Sequence, residues 1–281
     1  MSALVAFVVG AVVAALLWRA MSDQLRAADV LRRTNYRGHE VVVASGIVVV
    51  LAVVVVAAAH RVLVAFGGVN PDEQLRVAGL AVATTVGFGF LGLVDDLVGT
   101  VDTKGFAGHL GALVRGQVTT GLVKLVGGVL LGVVVAPGTG WDAVRSGVLI
   151  AACANVGNLF DRAPGRTIKV CLLGGLVVAA IGGPAWALTG PMLVLGAGLG
   201  MLVADLSEQC MLGDTGSNVL GAALGVGLAV SLGAPGEWIA LAVVVALNVA
   251  SEFVSFTKVI DAVAPLRFVD RLGARPERRA R

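Results

Sequence analysis

Apolar runs of near-membrane length recur along this chain, at about 3–19, 41–66, 77–94, 118–136, 143–160, 168–183, 185–204, 216–233 and 236–256. About 20 apolar residues in a helix cross a bilayer core, and several of these runs are near or below that length. A single soluble core cannot hide so much apolar surface: 57% of the 281 residues are hydrophobic, 14% are charged, and the mean hydropathy is +0.93. The pattern predicts an all-α integral membrane protein with about nine transmembrane helices. Val, Ala and Gly dominate the runs, and small residues let helices pack closely where lipid removes the hydrophobic drive between them. The same small-residue faces permit a homodimer.

Basic residues set the expected orientation, because Lys and Arg are retained on the cytoplasmic side of a plasma or inner membrane. With the N-terminus outside, eighteen of the 21 Lys and Arg residues fall inside, leaving Arg61, Arg76 and Arg145 outside. That imbalance predicts an N-out, C-in topology with an odd number of spans. The first run has no positive residue before it and Arg19 after it, the reverse of a cleavable signal peptide, so it reads as a retained helix. Residues 1–257 then form one polytopic domain, and 258–281 form a basic amphipathic tail suited to anionic headgroups or a diphosphate. The net charge of +3 does not imply nucleic acid, because no basic stripe is interleaved with aromatics and Tyr36 is the only tyrosine. Cys153, Cys171 and Cys210 lack pairing or metal-ligand spacing and read as small buried residues.

Three polar constellations fall at helix ends on the predicted cytoplasmic face. The first is Gly92-Leu93-Val94-Asp95-Asp96. Adjacent carboxylates at a helix C-terminus oppose the macrodipole and repel each other unless a cation is near. A divalent metal, Lys104 or Lys124, or an acquired proton would relieve this; equally, the pair simply stops a helix at the interface. The second is Asn155, Asn158 and Asp161, spaced i, i+3, i+6 and so within a stripe of about 120° on one helix. Arg162, Arg166 and Lys169 follow the break at Pro164-Gly165, with enough positive charge to hold a diphosphate. The plainer account is interhelical hydrogen bonding and ordinary positive-inside residues. The third is Met211-Leu212-Gly213-Asp214-Thr215-Gly216-Ser217-Asn218. Asp214 or Thr215 serves as an N-cap, or else the glycines admit a ligand to the free amides of the helix start. If Asp214 faces Asp95 and Asp96, the three form an oxygen site suited to Mg²⁺.

In order and spacing these constellations resemble the polyprenyl-phosphate N-acetylhexosamine-1-phosphate transferases, the membrane family that includes phospho-N-acetylmuramoyl-pentapeptide transferase. The resemblance spans roughly residues 30–270. Asp95-Asp96 is similar to the family's aspartate pair, Asn155, Asn158 and Asp161 to its Asn-x-x-Asn-x-x-Asp stretch, and Gly213-Asp214-Thr215-Gly216-Ser217 to its Gly-Asp-Thr/Ala-Gly-Ser loop. The resemblance implies Mg²⁺-dependent transfer of a sugar-1-phosphate from a UDP-sugar to a polyprenyl phosphate at the cytoplasmic face, releasing UMP. Asp214 is then the metal ligand, and Asp95 or Asp96 deprotonates or positions the lipid phosphate. Asn158 and Asp161 lie along the nucleotide side, beside Asn155, Arg166, Lys104 and Lys124 as substrate-binding candidates.

The chain departs from the family in two places. Asp161 is followed by Arg162-Ala163-Pro164-Gly165-Arg166, without a second acidic residue, and the only histidines are His39, His60 and His109, none of them in the last cytoplasmic segment. The chain also ends where the family usually adds a tenth span, the expectation for a shortened, divergent branch. Two rival readings follow. A catalytically silent scaffold or regulator of envelope assembly accommodates the departures. A transporter asks for ionisable groups near the midplane, whereas here the charges gather at one interface.

Overall fold

The computed structural model describes residues 1–275 apart from 36, 37, 39, 68–70, 100–107, 109, 110, 113, 115, 117 and 185, and over 71–77 the backbone alone. The nine apolar runs correspond to helices α1 (Ala3–Ala27), α2 (Ile47–Gly67), α3 (Pro71–Val98), α4 (Thr120–Val135), α5 (Gly140–Phe160), α6 (Arg166–Ile181), α7 (Thr189–Leu206), α8 (Gly213–Ser231) and α9 (Ala234–Phe253). Two short helices, α10 (Phe256–Ala262) and α11 (Ala264–Arg271), follow. Among the described residues, six helices are long and apolar enough to cross a membrane: α1, α2, α3 over Ala78–Val98, α5, α7 and α9. The architecture is that of a predominantly helical, membrane-embedded protein. At 16 residues, α4 and α6 are only about 24 Å long, short of a full bilayer core.

Two boundaries differ from the sequence expectation for physical reasons. The run at 41–66 does not begin as helix: Glu40–Val42 forms strand β2, antiparallel to β1 (Arg32–Thr34), with Arg32 opposite Val42. Val41, Val42 and Val43 are β-branched, and Gly46 separates them from α2. Conversely, α1 continues past Arg19 to Ala27, because Gln24, Leu25 and Arg26 are good helix formers that need no lipid.

Helix α8 is the centre of the bundle, buried along most of its length from Thr215 to Ala229. Glycine makes this possible where two backbones meet: a Cβ on Gly221 would run into the Cys153 carbonyl of α5, and one on Gly92 of α3 into the backbone of Asp214. The same device joins α1, along Ala6, Gly10 and Ala14, to Gly196 and Gly200 of α7.

Helix ends segregate into two sets. At one end, Arg26 in the last turn of α1 meets Gln209 after α7, Ser45 before α2 meets Met211 before α8, and the amide of Gly165 before α6 meets Asp205 near the end of α7. At the other end, Thr189 of α7 meets the carbonyl of Met1, and Arg145 of α5 meets Glu237 of α9. Trp141, Trp186 and Trp238 also lie at this second end, exposed as aromatic side chains are at a membrane interface.

Candidate active site

Asp95 and Asp96 close α3 against the start of α8, and the two do different things. Both oxygens of Asp96 are used locally: Oδ1 accepts from the Asp214 amide at 2.9 Å, and Oδ2 accepts from the Thr215 amide at 2.9 Å and the Thr215 hydroxyl at 2.6 Å. Leu212, which precedes α8, offers no side-chain cap, so Asp96 supplies the missing N-cap from a neighbouring helix. Gly213 makes room: its φ is +67°, and a Cβ there would collide with the Asp96 carboxylate.

Asp95 instead turns toward α4. The Lys124 ammonium donates to its Oδ2 at 3.1 Å and also to Oδ2 of Asp214, so a single cation bridges the two carboxylates. All three side chains are about four-fifths buried. Asn158, in the last turn of α5, donates from Nδ2 to the same oxygen of Asp214 at 3.1 Å, and its own carbonyl accepts from the Ser217 hydroxyl at 3.5 Å. Four helices thus deliver Asp95, Lys124, Asn158 and Asp214 to one point at the first end of the bundle.

Asp161 caps the C-terminus of α5 close by, accepting from the Thr167 hydroxyl at 3.4 Å. Burial, then the charges of Asp205, Asp214 and Asp96, push its carboxyl well above the usual carboxylate range, partly offset by the backbone amide of Gly213. Acidic groups therefore crowd this corner.

The other candidates lie elsewhere. Asn155, one turn deeper, donates to Oδ1 of Asn248 on α9 at 2.6 Å, while Asn248 donates to the Ala152 and Val244 carbonyls. It joins α5 to α9, the interhelical account of such a residue. Arg166 is 4% exposed and committed to Asp270, at 2.7 and 3.1 Å, and to the Thr257 hydroxyl at 2.8 Å. Lys104 lies outside the described residues. The sequence marks 258–281 as a basic amphipathic tail, but it singles out neither Asp270 within that tail nor the acid Asp205. Asp270 is 104 residues from Arg166, and Asp205 looks like any helix-ending charge, so neither carried a local signal.

Among the described residues no three His, Cys, Asp or Glu side chains come together as a metal-ligating group. Two carboxylates do converge, Asp95 and Asp214, on the position held by the Lys124 ammonium. Mg²⁺ commonly takes one or two carboxylates and fills its remaining positions with water and phosphate oxygens, so this donor set fits it if Lys124 yields the position. No family model matches the chain, and no curated protein is found to be similar to it.

Proposed function

We propose that this protein is a Mg²⁺-dependent phosphosugar transferase that moves a sugar-1-phosphate from a nucleotide sugar, UDP-linked, to a polyprenyl phosphate in cell-envelope glycan synthesis. The observation that carries the reading is the meeting of Asp95, Lys124, Asn158 and Asp214 from four helices at one end of a membrane bundle. A lipid acceptor gives a reason for placing such a cluster at the mouth of apolar helices. In this reading the chain makes nine spans with the N-terminus outside, and the cluster faces the cytoplasm and the donor nucleotide at the plasma membrane; the segregation of helix ends into two sets supports an odd number of spans.

In the transfer, an oxygen of the polyprenyl phosphate attacks the sugar-linked phosphorus of the donor. A new P–O bond forms, the P–O bond to UMP breaks, and UMP leaves with the electron pair. Such chemistry needs positioning and neutralisation of oxygen charge more than covalent help. Asp214 and Asp95 would hold Mg²⁺, which when bound would supply that neutralisation. The Lys124 ammonium would then be free to pair with a phosphate oxygen. Asn158 fixes the Asp214 carboxylate, Asp161 borders the nucleotide side, and Asp96 acts as a positioning residue by holding the first turn of α8. Asp95 orients the lipid phosphate, since the oxygens of Asp96 are already engaged.

One observation favours a second reading, a silent scaffold of envelope assembly: the Lys124 ammonium itself bridges Asp95 and Asp214 and so ties α3, α4 and α8 together. One experiment separates the two. Purified protein in detergent is given undecaprenyl phosphate, Mg²⁺ and a panel of UDP-sugars, and UMP release is followed beside Asp95→Asn and Asp214→Asn variants. Release by the wild type and not by the variants is the expected result. Turnover that survives Asp214→Asn unchanged sinks the transferase, and folded protein silent toward every donor favours the scaffold.

A further inference from the structure

Away from the candidate site, the segment after α9 builds a second basic feature. Arg166 and Lys169, at the start of α6, pin it down: Arg166 holds the buried Asp270 carboxylate, and the Lys169 ammonium donates to the carbonyls of Val269, Asp270 and Leu272 at 3.1, 2.7 and 2.7 Å. These bonds fix which side of α11 faces the bundle and so which side does not. Arg267 and Arg271 lie one turn apart on α11, and Phe268 and Leu272 lie one turn apart beside them. Together with Ala264 and Gly273 they line an open groove of about 480 Å³.

The groove is charged on one wall and apolar on the other. Phe268 is 69% exposed and Leu272 58%. Among the described residues, the acid that faces the two guanidiniums is Asp261 of α10. Its backbone carbonyl accepts from Arg267 at 2.7 Å, and its carboxylate accepts from Arg271 only at 3.5 Å. Arg271 thus has one distant carboxylate and Arg267 a backbone carbonyl, leaving donors on both guanidiniums for another anion. Phe253, the last residue of the apolar helix α9, is also strongly exposed just before this segment, so the groove sits at the level where a spanning helix leaves the bilayer.

We propose that this groove seats the phosphate headgroup of an anionic phospholipid, with Arg267 and Arg271 on the phosphate and the acyl chains against Phe268 and Leu272. A free anion has no use for the exposed aromatic wall, and a zwitterionic headgroup brings a cation toward the arginines. Each basic residue at an anionic membrane surface contributes roughly fivefold in affinity, so the pair contributes on the order of thirtyfold.

The test is lipid binding to delipidated protein in detergent, with phosphatidylglycerol, phosphatidylcholine and inorganic phosphate as probes. Bound lipid is counted by native mass spectrometry. Phosphatidylglycerol is expected to bind at least tenfold more tightly than phosphatidylcholine, and the Arg267→Gln, Arg271→Gln double variant to lose that preference while melting at an unchanged temperature in phosphatidylcholine. Asp261→Asn, which removes the negative charge beside Arg271, is expected to strengthen phosphatidylglycerol binding; this second variant keeps the test decisive if the first misfolds. Equal binding of the two lipids, a preference that survives the double variant, or full displacement by inorganic phosphate each overturns the proposal. Turnover plays no part in the readout, so this site stands or falls apart from the transferase reading.

Discussion

The two ends of the bundle solve the same problem, charge beside lipid, in opposite ways. At the second end, Glu237 is 2% exposed, accepts from Arg145 at 2.7 and 2.8 Å and from the Ser146 hydroxyl, and Arg145 also reaches Asp142 at 2.8 Å and lies 5.7 Å from the centre of the Trp238 ring. The buried acid Glu237 has its own cation in Arg145, whose second acid, Asp142, is largely exposed to solvent, and these bonds join α5 to α9 or stay within α5. At the first end, Asp95, Asp96, Asp161 and Asp214 crowd together, and among the described residues Lys124 is the cation within ion-pair reach of them. Matched charge holds helices together, whereas an excess of one sign is tolerated where something from outside completes it.

The comparison breaks most readily at Asp214. Its replacement by Asn keeps the shape but removes the charge, and turnover is expected to fall on the order of 10³-fold with little change in melting temperature. Glu237→Gln is expected to do the reverse: turnover within about twofold of wild type, and a lower melting temperature because Arg145 keeps only the exposed Asp142 as its acid. Thermal unfolding in detergent alongside UMP release measures both. If the two variants behave alike, the division into a holding end and a working end is wrong.

Asp96 sharpens the comparison because it sits at the working end but does a holding job. Asp96→Ala removes three hydrogen bonds from the first turn of α8 and is expected to cost about 1–2 kcal/mol in stability. Turnover falls with it, since Asp214 is in that turn. Asp96→Asn keeps one carbonyl acceptor and should restore part of both. Full activity in Asp96→Ala would show that the α8 cap does not position Asp214.

Much of this was legible in the sequence, and the illegible parts share a cause. The nine helices follow from apolar runs, because period and length are local properties. The strand at Glu40–Val42 was hidden because a β-branched apolar run reads alike as strand or as helix start. At the site, the spacing of Asn155, Asn158 and Asp161 gave a common face but not a partner: one turn of depth separates Asn158, on Asp214, from Asn155, on Asn248. Asp95 and Asp96 differ by about 100° around α3, and only the approach of α8 decides which becomes the cap. Arg166 looked free to bind a diphosphate because Asp270, its partner, is 104 residues away.

The smallest expected effect concerns Lys124, and it bears directly on what the excess of acid is for. The ammonium stands between Asp95 and Asp214 as a tethered cation, so a metal that enters must displace it. In metal-free protein, Lys124→Gln leaves the two carboxylates facing each other and is expected to lower the melting temperature. Added Mg²⁺ should then recover more stability in the variant than in the wild type, because binding to the folded state stabilises in proportion to occupancy and the competitor is gone. With the competing ammonium gone, apparent Mg²⁺ affinity should be higher in the variant than in the wild type. Ca²⁺, which demands more oxygen ligands, should recover less. A variant that Mg²⁺ does not rescue would mean that Lys124 and its two acids form a closed ion pair like that of Arg145 and Glu237, and that both ends of the bundle merely hold helices.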